Sequence, residues 1–98
     1  MPRLNASELK VALALVPAWR KSGRNIVRSC EFADFVAAMK FVNAVAVAAE
    51  KANHHPDIDI RWNQVTLALS THSEGGLTAK DFGLASRIDR LASRFKAA

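Results

Sequence analysis

Between Asp34 and Asn53 the chain reads DFVAAMKFVNAVAVAAEKAN, a stretch without glycine or proline. Within it Phe35, Ala38, Met39, Val42, Ala46 and Ala49 recur at the spacing of one helical face. Pro56 stops any continuation, because proline lacks the amide hydrogen that a helix interior needs. The rest of the chain must therefore fold around one long helix. The opposite side of that helix also carries Val36, Phe41, Ala44 and Val47. Apolar residues on more than one stripe predict that it meets a sheet on one side and a neighbour or a second subunit on the other. With 98 residues, 50% of them hydrophobic, the chain has material for one core, so residues 1–98 read as a single domain. A domain of this size hides roughly 65% of its unfolded surface, which makes subunit packing a natural supplement to stability.

The flanking segments supply the remaining elements. Asn5 followed by Glu8 is the pattern of a capping box that opens a first helix, and Pro17 closes it. From Trp19 to Phe32, β-favouring residues lie on either side of the polar turn SGRN, which reads as a hairpin. After Pro56, Ile58, Ile60 and Trp62 alternate with Asp59 and Arg61, and Val65, Leu67 and Leu69 alternate with Thr66, Ala68 and Ser70. These are two strands, with the turn expected at Asn63 and Gln64. If the second strand extends to residue 72, His72 projects on the face opposite the leucines. HSEGG is then a loop. Thr78 with Asp81 forms a second capping box, for a last helix whose apolar side is Phe82, Ala85, Ile88, Leu91 or Ala92, and Phe95. The order α-β-β-α-β-β-α gives an α+β fold, a four-stranded antiparallel sheet with three helices packed on one face.

Composition narrows the function. Cys30 is the only cysteine, so the chain can form no internal disulfide and has no cysteine cluster for structural zinc. A reducing, cytoplasmic setting fits. The N-terminus lacks the apolar core of a signal peptide, and the apolar runs are too short to span a bilayer, so no membrane role is expected. A net charge of +5 raises the question of nucleic acid. The positive charges are dispersed, apart from Lys80, Arg87, Arg90 and Arg94 along one side of the last helix. That stripe reads as a solvated helix face, and nucleic acid, whose binding would be strongly salt-dependent, is not an expected partner.

The chemistry concentrates in the histidines. His54, His55 and His72 are the three in the chain, and all fall at the two extremities of the second hairpin. Solvent exposure is the plain alternative for any loop residue. Functional side chains, however, gather on loops that a rigid scaffold holds. Three imidazoles could form an open zinc site, with Glu50 or Asp57 nearby, but adjacent ligands on one backbone converge poorly. General acid and base work without a metal fits better, since imidazole can both give and take a proton near neutral pH. No activated serine or cysteine and no phosphate-binding glycine loop is present.

The stretch EKANHHPDIDIRWNQVTLALSTHSEGGLTAKD closely resembles the signature region of the pterin-4a-carbinolamine dehydratases. An acidic residue stands at Glu50, the histidine pair and proline at His54, His55 and Pro56, an aromatic at Trp62, a third histidine at His72 and an aspartate at Asp81. The likeness extends from Trp19 through the last helix. It implies a 4a-hydroxytetrahydropterin substrate that loses water to give quinonoid dihydropterin, as part of tetrahydropterin recycling for aromatic amino acid hydroxylases. It implies acid–base roles for His54 and His72, a binding and orienting role for His55, and supporting roles for Glu50 and Asp81. No cofactor or metal is expected, and the assembly would be a homodimer or homotetramer. Trp62 reads as the end of a core stripe, with stacking on the pterin as the alternative. Asp81 reads equally as a helix cap. Glu50 lies near a helix C-terminus, where the dipole disfavours negative charge, so a functional partner would account for it better than structure does. Relatives of this fold also serve as binding proteins, a transcriptional coactivator or a Rubisco assembly factor, which keeps a protein partner as the alternative function.

Overall fold

A computed structural model describes residues 2–97. Helix α1 (Ala6–Leu15) is followed by strands β1 (Arg20–Ser22) and β2 (Asn25–Glu31), then helix α2 (Phe35–Ala52), strands β3 (Asp57–Arg61) and β4 (Gln64–Leu69), and helix α3 (Ala79–Arg94). The strands form one antiparallel sheet in the order β1-β2-β4-β3. This is the predicted α+β order. No helix among the described residues is long and apolar enough to cross a membrane.

Local chemistry explains where each element starts. Asn5 Oδ1 accepts from the Glu8 amide while Glu8 Oε1 accepts from the Asn5 amide, both at 2.9 Å, so the predicted box opens α1. Asp34 caps α2 by accepting from the Ala37 amide at 2.8 Å. Thr78 and Asp81 form the box of α3. In the β1–β2 hairpin, Gly23 takes a φ of +60°, which a residue with a Cβ adopts only under strain.

The core lies between the helices and the sheet face carrying Ile26, Cys30, Val65, Leu67 and Leu69. Helices α2 and α3 pack against each other over it, whereas α1 buries no residue fully and contributes Leu9, Ala12 and Leu13 at the margin. Phe32 and Phe41 meet with ring centroids 4.9 Å apart. On the same sheet face, Arg28 pairs with Asp89 of α3 at 2.5 Å, and the Trp19 indole donates to the same carboxylate oxygen at 2.7 Å.

Three expectations change. The buried stripe of α2 is Ala38, Phe41, Val45, Ala48 and Ala49, while Phe35 and Ala46 face outward. An Ala- and Val-rich helix is apolar nearly all round, so its period marks a helix without fixing which side the sheet takes. The tight turn of the second hairpin is Trp62–Asn63, because Arg61 pairs with Gln64. Trp62 takes the positive φ of +52°, and Asn63 is buried, its Nδ2 donating to the Phe32 carbonyl at 2.9 Å. Trp62 is consequently 69% exposed and is not part of the core. Finally, β4 stops at Leu69, and His72 opens a short 3₁₀ turn, His72–Glu74, beyond a bridge between Thr71 and Gly76.

Candidate active site

The C-terminus of α2 sets the first two histidines. Asn53 takes the left-handed conformation, φ 49° and ψ 45°, and its amide caps the carbonyls of Ala49 and Glu50. The amide of His54 then donates to the Ala49 carbonyl at 3.1 Å, which folds the chain back over the helix end. Pro56 follows and commits the backbone to β3.

His54 turns inward. Its ring nitrogen Nε2 lies 2.6 Å from Asp81 Oδ1, with the histidine side chain 11% exposed and the carboxylate fully buried. Asp81 occupies the first turn of α3, and its second oxygen accepts from the Thr78 amide and the Thr71 hydroxyl, both at 2.9 Å. Because the Thr71 proton goes to Asp81, the 2.8 Å contact between the Thr71 and Thr78 hydroxyls is donated by Thr78. With Oδ2 already accepting twice, an ionised Asp81 accepts at Oδ1 as well, and the imidazole proton facing it is then the one on Nε2. Nδ1 of His54 has no hydrogen-bond partner among the described residues. A buried carboxylate that holds one ring nitrogen and leaves the other open is the arrangement that orients a histidine for proton transfer.

His55 turns the other way. Its Nε2 lies 2.5 Å from Glu50 Oε2, and both side chains are largely exposed. This pairing gives Glu50 the partner that its place near a helix C-terminus calls for. His72 is exposed at the start of the 3₁₀ turn, with no side-chain partner among the described residues.

All three histidines line one cleft of about 260 Å³, together with Asn53, Ser70, Thr71, Ser73 and Lys80. The two hairpin extremities thus meet. Lys80 is the residue the sequence assigned elsewhere: it leaves the expected basic stripe and joins the histidines, because the Thr78–Asp81 box aims the first turn of α3 at the cleft. Trp62 is not brought there. It sits just beyond the far end of β3, six residues and roughly 20 Å of extended chain away from Pro56 at about 3.3 Å per residue. No three His, Cys, Asp or Glu side chains among the described residues converge as a metal would need, since His54 and His55 are each committed to a different carboxylate.

The cysteine is remote from this chemistry. Cys30 is buried in the core, and burial pushes its thiol above the ordinary range, opposed in part by the Arg28 guanidinium.

Comparison with known proteins gives a consistent result. The sequence profile of a family described as pterin 4 alpha carbinolamine dehydratase matches residues 2–91. A curated protein of Acidobacterium capsulatum, provisionally named pterin-4-alpha-carbinolamine dehydratase, is 54% identical over 91 residues, covering 93% of this chain and 99% of its own. A crystal structure from Brucella melitensis, described as a transcriptional coactivator/pterin dehydratase, superposes with a TM-score of 0.88 at 38% identity, over 92% of this chain and 98% of that one. A pterin dehydratase-like protein identified as a RuBisCO assembly factor in the alpha-carboxysome shares the fold, with a TM-score of 0.64 at 21% identity, over 76% and 86% of the two chains.

Proposed function

This chain belongs to the pterin 4 alpha carbinolamine dehydratase family, and on that premise we propose that it is a hydro-lyase acting on a 4a-hydroxytetrahydropterin. The observation that carries the reading is His54, held through Nε2 by the buried Asp81 and lining one cleft with His55 and His72. The reaction is an elimination. The C4a hydroxyl leaves as water once it is protonated or strongly hydrogen-bonded, the N5 lone pair forms the C4a–N5 double bond, and the N5 proton departs. Quinonoid dihydropterin results, with no change of oxidation state between substrate and product, so the step calls for no redox cofactor. Two imidazoles on separate segments suit the two proton transfers, and we assign them to His54 and His72. His55, restrained by Glu50, orients the pterin. The product is the substrate a reductase needs to regenerate tetrahydropterin, and we assign the activity to recycling for aromatic amino acid hydroxylases, in the cytoplasm.

The test is the rate at which freshly generated 4a-hydroxytetrahydropterin becomes quinonoid dihydropterin, followed by absorbance with and without the protein. His54→Ala and His72→Ala should each lower the catalysed rate by about 10²-fold or more while leaving the fold intact, the usual size of one acid–base contribution. Unchanged rates in both would remove the site assignment. A second reading, a protein-binding module, is favoured by the bare apolar side of α2, where Phe35, Val36 and Val47 are 50%, 62% and 58% exposed. A folded protein that gives no acceleration in this assay would leave that reading standing alone.

A further inference from the structure

A second cleft, of about 530 Å³ against about 260 Å³ for the histidine cleft, lies where the N-terminal segment, β1, the β1–β2 turn and residues 75–77 come together. Its charged lining residues are Arg3, Lys21 and Arg24, from the N-terminal segment, β1 and the β1–β2 turn, and no carboxylate lines it among the described residues. None of the three makes an ion pair among the described residues. Their placement is supported by the surrounding chain. Lys21 Nζ donates to the Gly23 carbonyl at 2.8 Å, which holds the ammonium at the hairpin tip. The stem of Arg3 lies over Gly76, where a Cβ would come to 3.0 Å from Arg3 Cδ, so the glycine lets that arginine lie close over the loop. The floor is apolar, formed by Leu4, Leu9 and Leu77.

Three like charges drawn from separate segments into one concavity repel one another, and an anion placed among them relieves that repulsion. Two guanidinium groups offer forked donors that match phosphate geometry, and the ammonium adds a point charge. The leucine floor suits the apolar part of an organic ligand, and the volume lies within the range of small-molecule sites. The other basic group, Arg87, Arg90 and Arg94, has a different character. It lies along the single helix α3, with Leu91 as its only other lining residue, and offers side chains from one element alone.

We propose that the Arg3–Lys21–Arg24 cleft is a binding site for an organic phosphate of mononucleotide size, separate from the histidine cleft and independent of its reaction. The experiment titrates the full chain with ADP, with tripolyphosphate and with adenosine, by calorimetry and amide chemical shifts at about 0.15 M ionic strength, where diffuse surface attraction is largely screened. ADP should bind, with shifts in the β1–β2 turn and at Gly75 and Gly76. Tripolyphosphate should compete with it, and adenosine should bind far more weakly. Arg3→Ala combined with Arg24→Ala should weaken ADP by about 10-fold or more and leave the dehydration rate unchanged, as two lost charge-assisted contacts would. Arg24→Gln alone, at an exposed turn position, should weaken it several-fold should the double variant fold poorly. Arg87→Ala with Arg90→Ala should have no effect. Absence of ADP binding at this ionic strength, or equal weakening by the α3 substitutions, would overturn the proposal.

Discussion

Asp81 does two jobs with one side chain: Oδ2 caps α3, and Oδ1 holds His54. The sequence gives both readings equal standing, and the structure shows them to be compatible, because a carboxylate has acceptor sites to spare. The two jobs can be separated by substitution. Thr78→Ala removes one half of the cap and should cost about 1 kcal/mol in a denaturant titration, the usual value of an N-cap, with the dehydration rate reduced only modestly. Asp81→Ala removes the partner of His54 as well. It should cost about 2 kcal/mol or more and bring the rate down clearly, though by no more than His54→Ala does, since the imidazole loses the contact that fixes its tautomer but is still present. If Asp81→Ala kept full activity, the orienting role would be wrong. Cys30 gives a further check at this scale. Its raised thiol disfavours the thiolate in the folded state, so a thiol reagent at neutral pH should react only in denaturant. The sign follows: folding free energy from this group is fully present below the thiol's unfolded range and is lost as pH rises past it, because the unfolded thiol ionises first. Cys30→Ala should flatten that alkaline slope.

At the scale of elements, much is legible in the sequence. Both capping boxes and the closing prolines are local signals, and each fixed a boundary that the structure keeps, whereas the strand alternation found both strands of the second hairpin without fixing its turn or the end of β4. The face of α2 was not legible, because Ala38, Ala44, Ala46 and Ala48 offer the sheet almost equivalent surfaces. The turn was displaced by one residue for a related reason. Asparagine is the residue that tolerates a positive φ, so Asn63 drew the assignment, whereas the fold uses its amide to tie the hairpin end to Phe32 and leaves the positive φ to Trp62. Trp62→Gly should therefore relieve backbone strain and leave stability unchanged or raised by up to about 1 kcal/mol, read by thermal melting. The same variant tests the supporting role that family resemblance gives Trp62. Retained kcat/KM would mean the indole takes no part, whereas a clear loss would mean that another subunit carries it to the cleft. As for the site, its histidines and carboxylates were legible as residues. Their pairing was not, because His54 with Asp81 and His55 with Glu50 depend on how the end of α2 meets the start of α3.

For the molecule as a whole, the bare side of α2 is the feature that a single chain leaves unresolved in energetic terms. Phe35, Val36 and Val47 stand in solvent at half exposure or more, which fits a homodimer or homotetramer that covers them. Val47→Lys should shift the assembly toward smaller species in sedimentation velocity, with the histidine cleft unaltered, whereas an unchanged mass would place the subunit contact elsewhere. One helix thus serves two ends. The imidazoles hang beyond its C-terminus, and the apolar side chains lie along its outer flank, with no residue shared between them. In evolutionary terms such a layout is separable. Substitution at either group leaves the residues of the other untouched, so the histidine end and the apolar flank are free to change independently.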